Sequence, residues 1–94
     1  MAQNTTVNIP ANVWTQITDG NVSSITFQNI AGNFVRVKGT VGATAPTDLA
    51  GSIRYNPGQG ERNVLLADLF PGISGVNRVY VFAADGAQMV VSNA

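Results

Sequence analysis

The sequence contains no cysteine and no histidine. Without thiols there are no disulfides, no thiolate nucleophile and no Cys-ligated zinc or iron–sulfur centre. Without imidazole the usual general base and the commonest metal ligand are missing. Charge is also scarce: charged residues make up 11% of the chain, where about 25% is typical. Five Lys+Arg balance five Asp+Glu for a net charge of zero, which argues against nucleic acid, a partner that needs clustered basic charge. No apolar run approaches the roughly 20 residues of a membrane span, and the polar start Met1-Ala2-Gln3-Asn4-Thr5-Thr6 does not read as a signal peptide. These absences lead to the expectation of a protein with no catalytic activity, no metal, no cofactor and no membrane partner.

Uncharged polar residues stand where charge is missing. Asn, Gln, Ser and Thr fill 28 of the 94 positions, and the hydrophobic share is an ordinary 45%. At this length the chain is expected to form one domain over residues 1–94, burying roughly 60–68% of its unfolded surface. Its core is therefore thin. A surface with few ions to desolvate packs readily against neighbours, and zero net charge removes the repulsion that keeps copies apart.

The dominant hydrophobic period is two, the period of β-strands. It predicts strands over residues 7–9, 13–18, 22–30, 34–38, 52–55, 63–66, 78–83 and 87–92, with a short further one at Thr40-Val41. Asp19-Gly20-Asn21, Ala31-Gly32-Asn33, Asn56-Pro57-Gly58-Gln59-Gly60 and Asp85-Gly86 punctuate them as turns. Ala67-Asp68-Leu69-Phe70 before Pro71-Gly72 reads as one helical turn. The expected fold is all-β: a single antiparallel β-sandwich, jelly-roll or Greek-key like, of seven or eight short strands. The long Gly-, Ala- and Thr-rich connection before Ser52 suits a crossing between sheets. Alternation assigns Val13, Ile17, Ile25, Phe27, Val35, Val37, Val79, Val81 and Val90 to one core. Val35 and Val37 share one face of their strand, with Arg36 and Lys38 on the other.

Reactive chemistry finds little support. The five acids are Asp19, Asp48, Glu61, Asp68 and Asp85; Asp19 and Asp85 adjoin Gly in turns, where a carboxylate caps its own backbone. No Ser-x-x-Lys spacing activates a hydroxyl. Gly58-Gln59-Gly60 is followed by Asn63, with neither a third glycine nor a helix pattern to complete a phosphate loop, so it reads as a hairpin or bulge. Two glycosylation sequons, Asn4-Thr5-Thr6 and Asn21-Val22-Ser23, are expected by chance in a chain this rich in Asn, Ser and Thr. The aromatics are more telling. Trp14, Tyr80 and Phe82 fall out of phase with the Val faces of their strands and emerge beside Arg78, either covered within the domain or forming an interface anchor.

Trp14-Thr15-Gln16-Ile17-Thr18, Ile25-Thr26-Phe27-Gln28-Asn29, Gly42-Ala43-Thr44-Ala45-Pro46, Tyr55-Asn56-Pro57-Gly58-Gln59-Gly60-Glu61, Leu69-Phe70-Pro71-Gly72 and Val76-Asn77-Arg78-Val79-Tyr80 run over most of the chain. Together they resemble small β-rich structural proteins of tailed bacteriophages and prophages, some of them head-decoration or tail-associated. The resemblance implies a homo-oligomeric, assembly-bound module, made in the host cytoplasm and residing on the virion among other virion proteins; it carries over no catalytic residue. The corresponding expectation is a virion structural protein that self-associates and binds a capsid or tail lattice. The alternative is a carbohydrate- or receptor-binding β-module using Trp14 and Tyr55 as a stacking platform. The candidate interface residues are Trp14, Arg54, Tyr55, Arg62, Arg78, Tyr80 and Phe82. Residues 79–83 and 89–92 are expected to be sticky sheet edges that drive a closed homo-oligomer, such as a ring, with Arg54, Arg62 and Arg78 pairing with acids across the contact.

Overall fold

The computed structural model describes residues 3–93. Eight strands form: β1 (Gln3–Ile9), β2 (Thr15–Gln16), β3 (Ser24–Asn29), β4 (Val35–Thr40), β5 (Ile53–Tyr55), β6 (Gly60–Leu65), β7 (Arg78–Phe82) and β8 (Ala87–Asn93). One helical turn, α1 (Leu66–Leu69), follows β6. The strands make two antiparallel four-stranded sheets, ordered β1-β8-β3-β6 and β2-β7-β4-β5. The chain is therefore one long antiparallel ribbon wound on itself: Val37 pairs with Ile53, Phe27 with Glu61, Thr15 with Val81 and Val7 with Met89. Pairing of β3 with β8 and of β4 with β7 then closes the wound sheets. This is the jelly-roll form of the β-sandwich, in accord with the all-β expectation.

Every connection changes sheet except the one between β4 and β5. The long segment before Ser52 is accordingly not a crossing but the tip of the ribbon, joining strands that pair side by side. The expected strand at Thr40-Val41 is the end of β4, which runs on to Thr40.

The buried side chains form a single cluster between the sheets. Ile17, Ile25, Phe27, Val35, Val37, Val79 and Val81 lie in it as the alternation requires. Phe27 meets Tyr55 edge-on across the two sheets, with ring centroids 5.0 Å apart. Two expected core residues do not. Val13 is 51% exposed, because Asn12 adopts a left-handed backbone (φ 60) that breaks the phase of the chain before β2. Val90 faces outward while Met89 and Val91 are fully buried. Three consecutive apolar residues leave the phase of β8 undetermined locally; pairing of Val91 with Phe27 and of Met89 with Val7 sets it.

The sheet edges also differ from expectation. Residues 79–83 and 89–92 belong largely to β7 and β8, which are interior strands with a neighbour on each side. The free edges among the described residues are β1, β6, β2 and β5. β2 and β5 have only two and three residues. β6 carries Glu61 and Arg62 and is bulged where its register with β3 shifts, at the left-handed Asn63 (φ 47) whose amide donates to Thr26 Oγ1. β1 has seven residues, an unbroken register and no charge.

Candidate functional site

In the second sheet the inward residues are Val35, Val37, Val79 and Val81, so the residues between them point out. Phe82 lies opposite Arg36, and Arg36 lies opposite Arg54. Trp14 packs on Phe82 with centroids 5.4 Å apart at 47°. One row across the outer face thus reads Trp14, Phe82, Arg36, Arg54. Phe34 sits at the end of this row, with the guanidinium carbons of Arg54 and Arg36 at 4.0 Å and 5.5 Å from its ring centroid.

The next row is built differently. Gln16 pairs with Tyr80, and Tyr80 with Lys38. Segment 41–52 folds back over this part of the face. The Tyr80 hydroxyl is 2.8 Å from the Ala43 carbonyl and 3.1 Å from Gln16 Oε1, and the ring is only 5% exposed. Lys38 donates to Asp48 at 3.1 Å, while the Asn77 side-chain carbonyl accepts from the Gly42 amide. Arg78 is held by Asn21 Oδ1 at 2.9 Å and Gln16 Oε1 at 3.2 Å. The face is therefore divided. Tyr80, Lys38 and Arg78 are engaged with the chain itself, whereas the row from Trp14 to Arg54 lies outside these contacts.

Of the expected interface residues, Trp14, Arg54, Arg78, Tyr80 and Phe82 come together on this sheet, with Tyr80 buried rather than presented. Tyr55 is 6% exposed and belongs to the core; it cannot join Trp14 in a stacking platform. Its hydroxyl donates to Glu61 Oε2 at 3.0 Å. Burial, and then the Glu61 carboxylate beside it, push the phenol well above the ordinary tyrosine range. Arg62 belongs to β6 of the other sheet. There it borders a shallow cleft of about 270 Å³ shared with Thr26, Gln28, Glu61 and Val90. Phe34 and Arg36 were absent from the expected set, although the alternation that turned Val35 and Val37 inward already turned both of them outward.

The outer face of the first sheet has another chemistry. Asn4, Thr6 and Asn8 of β1 lie opposite Ser92, Val90 and Gln88 of β8, and Thr26 and Gln28 of β3 continue the surface. Four of the five cations therefore sit on the second sheet and one on the first. The acids are scattered: Asp48 pairs with Lys38, Glu61 accepts from Tyr55, Asp19 and Asp85 are exposed in loops and turns, and Asp68 is exposed on α1. Among the described residues no three potential metal ligands gather. Gly58 (φ 84) turns the chain into β6, and Gly60 lies directly against the Phe27 backbone. The turn joins β5 of one sheet to β6 of the other, so it is not a hairpin, and the bulge follows further along β6. Comparison with protein-family models, curated proteins and solved structures returns no match for the chain.

Proposed function

We propose that this chain is a non-enzymatic structural module that self-associates and docks onto a larger protein lattice, of the kind formed by a phage capsid or tail. The observation that carries the reading is the open row Trp14, Phe82, Arg36, Arg54 on the outer face of the second sheet. Aromatic rings and arginine are the side chains enriched at the anchoring centres of protein interfaces. The resemblance to virion-associated β-proteins supplies the kind of lattice. Self-association is supported by β1, a free edge with neither charge, brevity nor a bulge to block another strand. A second β1 adding to it closes the contact on a two-fold axis, which satisfies both edges without growing a fibre. The sugar-binding alternative loses its platform with the burial of Tyr55.

Two measurements test the reading. Light scattering behind a sizing column is expected to give an oligomer that Asn8→Lys, a charge on the β1 edge, converts to monomer. A 9.8 kDa monomer at high micromolar concentration defeats self-association. Tagged protein produced during phage growth is expected to co-sediment with particles, and Trp14→Ala to release it. Recovery of the unmutated chain only in the free fraction defeats docking.

A further inference from the structure

Arg36 and Arg54 are directly opposite each other on neighbouring strands. Like charges in that register repel. Among the described residues neither guanidinium faces a carboxylate, since the ion pair formed is Lys38 with Asp48. Arg54 is tied by its Nε to Asn56 Oδ1 at 3.1 Å, which fixes the guanidinium and leaves its terminal nitrogens directed elsewhere. Both cations pack against one ring, Phe34. An aromatic face attracts cations but does not neutralise them. The fold thus holds two planar forks together, on a partly desolvated support, with their charge uncompensated.

We propose that Arg36 and Arg54, braced on Phe34, form a carboxylate clamp, and that its occupant is an Asp or Glu side chain of the protein docked on this face. The inference rests on the reading of the face as a docking surface and names the chemistry it recognises. Carboxylate geometry matches the guanidinium fork, and two forks across a strand pair receive both oxygens. Phe82 and Trp14 continue the same row with apolar surface, so the acid is flanked by an apolar residue that excludes water. A nucleic acid strand needs a track of free cations along successive phosphates. On this face Lys38 is paired with Asp48 and Arg78 is held by two amides, which leaves Arg36 and Arg54 side by side and no track.

The test follows arginine side-chain nitrogen resonances of the full chain while adding a tetraglutamate peptide, and in separate arms inorganic phosphate and a thymidine oligonucleotide. Tetraglutamate is expected to shift Arg36 and Arg54 saturably and to leave Arg62 in place. Arg54→Lys, which keeps the charge and loses the fork, is expected to weaken binding by about tenfold; Arg62→Lys changes nothing. Equal shifts at all arginines, an unaltered affinity in Arg54→Lys, or tighter binding of phosphate or oligonucleotide than of tetraglutamate each overturns the clamp. Docking lost without any effect on peptide binding would fault the lattice reading alone; peptide binding absent with docking intact would fault the clamp alone.

Discussion

The two outer faces each belong to a four-stranded antiparallel sheet, yet they are chemically unlike. On the first sheet Asn4, Thr6, Asn8, Gln88 and Ser92 present amides and hydroxyls, and Gln88 donates to Asn8 at 3.2 Å. On the second, Trp14, Phe82, Phe34, Arg36 and Arg54 present rings and guanidinia that among the described residues face no carboxylate. A net charge of zero thus conceals a segregated surface. What makes the two faces differ is which residues the register sets side by side, more than the overall composition.

The largest perturbation abolishes the comparison by loosening both sheets. Phe27→Ala removes the ring that meets Tyr55 between them, at an expected cost of about 3–5 kcal/mol. Chemical denaturation measures it, and a domain of this size has only about 5–15 kcal/mol in total to lose. Gly39→Ala acts from the second sheet on the connection between β6 and β7. An added Cβ would stand 2.5 Å from Phe70 Cδ2 and 2.7 Å from Val76 Cγ2, so those two side chains must give way, at about 1–3 kcal/mol. Thermal melts and proteolysis of that connection report it.

Two milder changes sharpen the contrast. Trp14→Ala is expected to cost about 1 kcal/mol through its lost packing on Phe82 and to abolish docking. Thr6→Ala, on the first sheet, is expected to stay within about 0.5 kcal/mol and to leave docking intact. Alkali probes the seam between the sheets. Tyr55 holds its proton more tightly folded than unfolded, so its contribution is complete below the unfolded tyrosine value of about 10 and is lost as pH rises beyond it. Ultraviolet titration should therefore find Tyr55 ionising only together with alkaline unfolding, and Tyr55→Phe should remove that dependence.

A small effect of the opposite sign belongs to Thr18, whose buried Oγ1 has no hydrogen-bond partner among the described residues. Thr18→Val is expected to be neutral or stabilising by up to about 1 kcal/mol, which urea denaturation resolves. A loss above that would show the hydroxyl to be satisfied.

Much of the architecture was legible beforehand because alternation is a local signal. In β3, β4 and β7 apolar and polar residues alternate cleanly enough to orient every side chain, and the turn clusters bounded the strands. The same alternation turned Trp14, Phe82 and Arg54 outward. It could equally have nominated Phe34 and Arg36, had the basic face of β4 been read alongside the aromatic face of β7. Asn29 lay beyond such reading: fully buried, it donates to the Asn33 and Tyr55 carbonyls and accepts from the Ala31 amide, joining β3 to the end of β5.

The sequence by itself determined that this is a two-sheet β protein, where most of its strands lie, and which face of its regular strands is apolar, since each follows from neighbours one or two residues away. Only the tertiary structure decided that β7 and β8 are interior and β1 an open edge, that Met89 and Val91 rather than Val90 enter the core, that Tyr55 and Tyr80 are covered, and that Arg36 confronts Arg54. Those outcomes depend on which distant strand lies alongside, and a period of two carries no information about partners.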